Sequence, residues 1–417
     1  MFSISPWDWP LESPVKFYLF NVIVLISFFF GYKKGILKNK FYTSNEFNKS
    51  AISRLLKISF LLNLIFIYPK FLFRLKIAFL SISDILNHIA IGFFTPGYAY
   101  ADRFARTYEG FSTLSNPLVL AYNIVLPFLY LAIPLGIYFW DRLNISSRII
   151  LLVIIFLEIL SYIAIGTNKG IFDIAIILPW LILAKNPEKY INYKMNFKKA
   201  FLLVSAVLVI FSALSYFVST NIERKGARFY YEHSTQTYVS EDALVLKILP
   251  TFIQDSYLAI DSYLTQGYYP LGLALDMDFK STYGMGNSFF LTTLGEKYFG
   301  KNYITDRTYQ ARIENDHGWS HYVKWHTFYT WIANDVSFWV VPIIIYYLAC
   351  FFSQSWHDII QRRNIYSIPV FSLFLIMITY FPANNQIFGF QGSLITFIVL
   401  FYIWRKNKII VNTKGKI

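Results

Sequence analysis

IILLVIIFLEILSYIAIGTNKGIFDIAIILPWLILAKNPEKYINYKMNFKK, residues 149–199, decides the fold class. Two apolar runs, 149–166 and 170–184, meet at the turn GTNKG, and the second empties into a loop carrying Lys185, Lys189, Lys194, Lys198 and Lys199. A membrane span needs about 20 apolar residues. Inside lipid only a helix satisfies its own backbone. The pattern therefore predicts two transmembrane helices joined by a tight turn, with a basic loop on the other side.

The same reading extends outward in both directions. Apolar stretches at 15–32, 52–73, 116–140, 200–220, 336–352, 367–382 and 387–404 bring the expected total to nine. The fold class is all-α, a polytopic helical bundle. Residues 74–115 could add one or two spans if they dip back into the lipid. Of 417 residues, 56% are hydrophobic and 15% charged, against about 25% charged in soluble domains. Phe (42) and Tyr (32) supply material for aromatic belts at the two interfaces.

The net charge of +14 would fit nucleic-acid binding on a soluble protein. Here its distribution argues otherwise. Loops 33–51 and 185–199, the pairs Arg142/Arg148 and Arg362/Arg363, and the tail with Arg405, Lys406, Lys408, Lys414 and Lys416 share one parity. The positive-inside rule makes them cytoplasmic, with the N-terminus outside and the C-terminus inside. The lipid bilayer is then the first partner, and no nucleic acid is expected. The chain divides into 1–220, a six-span portion with an interfacial loop at 74–115; a large outside loop at 221–335; and 336–417, three spans and a basic tail. The N-terminal 14 residues lack a basic n-region, so a reverse signal-anchor is expected instead of a cleaved signal. The single cysteine, Cys350, excludes an internal disulfide framework and sits in an apolar run as a small hydrophobe.

The two outside loops hold the candidate chemistry. In the first, Ser83 to Ile91 reads as an amphipathic interfacial helix. TPGYAYADRFAR (95–106) follows it, offering Arg103 and Arg106. The second loop has ten Lys+Arg and thirteen Asp+Glu. It opens with ERKGAR, so that Arg224, Lys225 and Arg228 stand at headgroup depth. Such residues either anchor the chain to anionic lipid or hold a diphosphate, Arg bidentately and Lys as a point charge. TYGMGNS bends the chain around Asn287 with Tyr283 before it. HGWSHYVKWHTFYTWIANDVSF (317–338) gathers His317, His321 and His326 among Trp319, Trp325 and Trp331, ending at Asn334 and Asp335. Aromatic faces stack on sugar C–H faces, and His or Asp removes a hydroxyl proton near neutral pH. The plain alternative is an aromatic belt. Lys169 with Asp173 at i, i+4 is either an internal ion pair or part of a site. Glu158 is either a protonated packing residue or part of that site.

QGYYPLGLALDMDF, TYGMGNS and KWHTFYTWIANDVSF followed at once by a span resemble the O-antigen polymerase type of oligosaccharide repeat-unit polymerase. GTNKGIFD is similar to a Lys-containing turn of some members. The resemblance covers these patches and the multispan plan. It implies an integral membrane glycosyltransferase of the inner membrane. Donor and acceptor would be undecaprenyl-diphosphate-linked glycans, the product surface polysaccharide, and the outcome inversion. It also implies a chain-length regulator and a flippase as pathway partners. On this basis Arg224, Arg228, Lys225, Lys169, Arg103 and Arg106 hold the donor diphosphate. His326, or failing it Asp335, handles the acceptor proton. Tyr283, Asn287, Trp319 and Trp325 hold sugars. No metal or other cofactor is expected, because cations stand in for one. The alternatives are an O-antigen ligase, a lipid-linked oligosaccharide flippase or polysaccharide transporter, and a scaffold without activity.

Overall fold

A computed structural model of the chain describes Phe2 and residues 5–37, 49–108, 117–185, 215–216, 218–220, 231–232, 235, 237–240, 242–321, 323–361 and 364–414. It is all-α and 75% helical. Strand pairing among the described residues is confined to an antiparallel ribbon, β1 (Tyr231–Glu232) with β2 (Thr237–Tyr238), and a bridge from Trp7 to Val239.

The chain forms two compact units, each discontinuous in sequence. The first contains Met1–Thr43, Arg228–Asp358 and Leu373–Phe397. The second contains Ser44–Ala227, Ile359–Ser372 and Ile398–Ile417. This differs from a cut at 220 and 335, because the N-terminal helix belongs with the large loop.

In the second unit, α2 (Lys49–Ile65) and α3 (Ile67–Leu75) form one apolar run bent by 59° at Phe66. α4 (Ile82–Phe94) starts at a capping box in which Ser81 and Asp84 exchange hydrogen bonds. It extends the interfacial helix expected at 83–91. The helix breaks before Pro96 and Gly97, at non-helical Thr95. Pro96 opens α5 (Pro96–Tyr108), where its missing N–H costs nothing. α6 (Pro117–Tyr130) and α7 (Ala132–Tyr138) continue into each other, and α8 (Ile145–Ile163) turns at Gly166 into α9 (Lys169–Lys185). Gly166 adopts φ +61°, and a Cβ there would sit 2.1 Å from the Pro96 carbonyl, so only glycine fits. Phe71, Leu72, Leu75, Leu80, Val119, Ala164 and Ile165 form the core beside this turn.

In the first unit, α1 (Pro14–Leu37) lies against α16 (Val341–Ile360) through Gly31 and Gly35. A Cβ at either would approach the carbonyl of Tyr346 or Cys350 to 2.1 or 2.5 Å. Small residues four apart bring two membrane helices this close. The loop segment between them folds as α10 (Leu244–Ile248), α11 (Thr251–Thr265), α12 (Tyr268–Asp276), α13 (Phe289–Phe299), α14 (Tyr309–His317) and α15 (Phe328–Val336). α15 meets α16 at a 119° bend around Ser337, whose φ is +63°. α17 (Ser367–Thr379) and α18 (Gln391–Lys414) complete the chain.

Among the described residues three helices, α1, α6 with α7, and α8, are long and apolar enough to cross a membrane. Counting each bent pair, α2 with α3 and α15 with α16, as one span gives five. Of the remaining expected spans, α9 and α17 are 17 and 13 residues long, and α18 runs on into the basic tail. Most of 200–220 lies outside the described residues.

Candidate functional site

The second unit builds an ionic cluster where α3, α5, α8 and the start of α9 converge. Lys70 and Arg74 stand one turn apart on α3, so both face α8. Lys70 Nζ lies 2.8 Å from Glu158 Oε2 and 3.4 Å from Asn63 Oδ1. Arg74 pairs with the other carboxylate oxygen of Glu158, bonds Ser161 Oγ, and donates to the Glu158 carbonyl at 3.1 Å. Its guanidinium covers the Tyr162 ring at 3.6 Å. Both cations are nearly buried, and buried charge persists only when paired. Glu158 is therefore an ion-paired carboxylate between two cations and not a protonated packing residue. Lys70 is a second charge inside an apolar run; the signal for it was YPKFLFRL, where two cations fall at i, i+4.

α5 closes the cluster from the C-terminal end of α3. Arg103 Nε donates to the Arg74 carbonyl at 3.3 Å, and Arg106 Nη1 to the Leu75 carbonyl at 3.2 Å. Arg106 also pairs with Asp102. Cations on the last carbonyls of a helix complement its dipole. Lys76 caps α3 in the left-handed region (φ +57°). Burial, with Arg103 nearby, pushes its pKa down to about 8. On α9, Lys169 Nζ meets Asp173 Oδ2 at 2.5 Å, within electrostatic reach of Arg74 and Tyr162. Among the described residues of this cluster six cations face three carboxylates: Lys70, Arg74, Lys76, Arg103, Arg106 and Lys169 against Glu158, Asp173 and Asp102. Four buried oxygens beside it, Asn123 Oδ1, Tyr130 Oη, Asn168 Oδ1 and Asp173 Oδ1, have no hydrogen-bond partner. Such orphans mark places for water or a polar ligand. Lys169, Arg103 and Arg106, which sequence reading proposed together, all lie in this cluster.

The first unit holds Asp335, Asn287, Tyr283, His326, Trp319 and Trp325. Asp335, at the C-terminal end of α15, fixes the 282–288 turn. Its Oδ1 accepts from the Gly286 amide at 2.8 Å and from Thr282 Oγ1. Its Oδ2 accepts from the Asn287 amide at 3.1 Å and from Asn287 Nδ2 at 2.5 Å. Next to it, buried Asn334 donates to Gly286 O and Gln310 Oε1, both at 2.8 Å, and accepts from the Tyr309 amide at 2.9 Å. Asn385 Nδ2 holds the Asn287 carbonyl at 2.8 Å. With its lone pairs committed in this way, Asp335 is a positioning group.

His326 and Trp319 lie in the interior, which corrects the expectation that they touch substrate. His326 is 1% exposed, and neither ring nitrogen has a well-formed hydrogen bond. Burial holds its pKa down to about 3, with His321 adding to the effect and the Ser320 backbone opposing it. A neutral, enclosed imidazole is a weak base with no access to an acceptor hydroxyl. Trp319 is 0% exposed. Trp9 and Tyr269 cover it at centroid distances of 5.9 and 5.1 Å, and its Nε1 donates to the Trp325 carbonyl at 3.2 Å. The aromatic spacing in 317–338 is thus partly a core pattern, completed by N-terminal Trp7 and Trp9. Trp325 is half-buried against Tyr263.

Tyr283 differs: it is exposed and adjoins Phe299, Tyr303 and Arg307. The Asp276 to Asp278 pair is consumed by Lys16 and Arg312. No group of three or more His, Cys, Asp or Glu suited to a metal occurs among the described residues. Arg224, Lys225 and Arg228 lie outside the described residues. No family model, curated protein or solved structure matches the chain.

Proposed function

We propose that this protein is an inner-membrane glycosyltransferase that joins undecaprenyl-diphosphate-linked oligosaccharide repeats into surface polysaccharide. The observation that supports it is the cation excess of the second unit, six positive groups to three carboxylates at a helix turn lined by unpartnered oxygens. Transmembrane charge is rare and tends to be functional. The motif resemblance in 266–288, 324–338 and 166–173 gives the substrate class.

In the proposed reaction the acceptor hydroxyl oxygen bonds to the donor's anomeric carbon. The bond from that carbon to the phosphate oxygen breaks, and the lipid diphosphate leaves with the electron pair. The hydroxyl proton departs to solvent or to the phosphate. The cations offset the charge that grows on the leaving group. Preorganised donors of this kind contribute about 10²–10³ in rate each. In the second unit, Lys169, Arg103 and Arg106 are the residues proposed for the diphosphate; Arg224, Arg228 and Lys225, outside the described residues, are proposed for it from the sequence alone. In the first unit, Tyr283 and Asn287 are the residues proposed for the saccharide, on the turn that Asp335 fixes. The proposal includes nine spans, the N-terminus outside, and the site on the outer leaflet side. Its partners are the lipid-linked donor and acceptor, a flippase that delivers them and a chain-length regulator.

The test is a deletion strain complemented with Lys169→Ala or Arg103→Ala, with membrane levels checked by blotting and the polysaccharide run on a gel. The expected result is loss of the ladder with single-repeat material retained. Absence of all product points to a ligase or flippase instead, and a full ladder from both variants overturns the site.

A further inference from the structure

Tyr283, Phe299 and Tyr303 are 54%, 51% and 41% exposed, yet they are not scattered. The Tyr283 and Tyr303 rings are parallel within 6°, with centroids 6.4 Å apart, and Phe299 is within 22° of both. The Arg307 guanidinium carbon lies over Tyr283 at 5.1 Å and over Tyr303 at 5.5 Å. Arg307 thus lies within cation–π reach of both rings. Arg307 itself is held by its Nε bond to the Ser281 carbonyl at 2.6 Å. The two phenol oxygens approach to 3.5 Å at the rim.

Backbone strain accompanies this cluster of near-parallel rings. Tyr283 adopts φ +57° and Asn302, next to Tyr303, φ +64°. A non-glycine residue held there costs on the order of 1 kcal/mol or more and persists where surrounding structure enforces it. The enforcement at Tyr283 is the Asp335 network on its turn. An aromatic belt requires depth in the membrane and no fixed relation between rings. Parallel faces held against strain are what a stacked planar or chair-shaped ligand requires.

We infer that Tyr283, Phe299 and Tyr303 form a stacking platform for a pyranose ring of the acceptor saccharide, with Arg307 holding Tyr283 and Tyr303 together. This rests on the proposed glycosyl transfer and adds the acceptor subsite to it. Phe299, Tyr303 and Arg307 are the new members. The apolar C–H face of the sugar lies on the rings, and its equatorial hydroxyls reach the phenol rim.

The experiment uses the full-length protein in nanodiscs. The probe is oligosaccharide of one to three repeats, released by mild acid from the host's surface polysaccharide and followed by saturation-transfer NMR. An aromatic contact is worth about 0.5–1.5 kcal/mol, so Tyr303→Ala and Phe299→Ala are expected to weaken binding by up to about tenfold. Tyr303→Phe should stay within about twofold, because it keeps the face. In turnover with lipid-linked repeats, the alanine variants should raise KM and leave kcat. Equal binding by all variants overturns the platform. So does quenching of a Tyr303→Trp variant by nitroxide lipids, which would seat the rings in the bilayer. If wild type binds saccharide on these rings but builds no polymer, the platform stands and the polymerase reading fails. If every variant polymerises with normal KM, the platform fails alone.

Discussion

His326 makes the stability of this protein fall in mild acid. In an unfolded chain its imidazole titrates near 6.5; folded, burial holds it near 3. Between those values the unfolded state binds a proton that the native state does not, so stability is complete above pH 6.5 and declines as pH falls. The slope is about 1.4 kcal/mol per pH unit. From pH 7 to pH 5 the loss is therefore about 2 kcal/mol, and the full penalty, reached near pH 3, is about 5 kcal/mol. Other groups of the chain add to the total pH dependence, so the comparison must be differential. His326→Leu keeps most of the volume and removes the proton site. Denaturant titrations in a mild detergent, followed by tryptophan fluorescence at pH 7, 6 and 5, should show a shallower pH dependence for the variant by that 2 kcal/mol. Wild-type and variant curves that stay parallel across this range would refute the buried neutral histidine. If the proposed polymerisation is correct, polymer formation at pH 7 should survive the substitution, because the ring is enclosed.

Four further outcomes are expected. Glu158→Gln strands Lys70 and Arg74 without a counter-charge and should cost about 3–5 kcal/mol in a thermal-shift or denaturant measurement, with partial recovery on adding Lys70→Met. Asp335→Ala frees the amides of Gly286 and Asn287 and should cost about 1–3 kcal/mol, while also raising KM for the saccharide acceptor. Gly31→Val drives a side chain into the Tyr346 carbonyl; the α1–α16 contact should open, read as a loss of about 1–3 kcal/mol in a denaturant titration. Lys169→Ala should lower polymer formation by about 10²–10³ with folding intact, because Asp173 remains near Arg74.

The site was legible to different depths. Lys169 and Asp173 stood out because charge in an apolar run is costly and visible as such. Arg103 and Arg106 were found as basic residues of an outside loop, yet their capping of α3 depends on where that helix ends. Trp319 and His326 looked like a surface cluster because periodicity alone does not separate an interfacial aromatic from a core one. Trp7, Trp9 and Tyr269, far away in sequence, cover Trp319. Phe299, Tyr303 and Arg307 carried no motif, and only the turn at Tyr283 brings them together.

The amino-acid sequence by itself determined that this is an all-α chain with helices long and apolar enough to cross a membrane. Hydrocarbon tolerates no unpaired backbone, so long apolar runs have one structural outcome. It also indicated where the chain bends, through Gly166 and Gly284. The tertiary structure decided which charges neutralise each other and which aromatic faces stay open. Those outcomes depend on contacts between residues such as Lys70 and Glu158, 88 positions apart, and a linear pattern holds no record of such a distance.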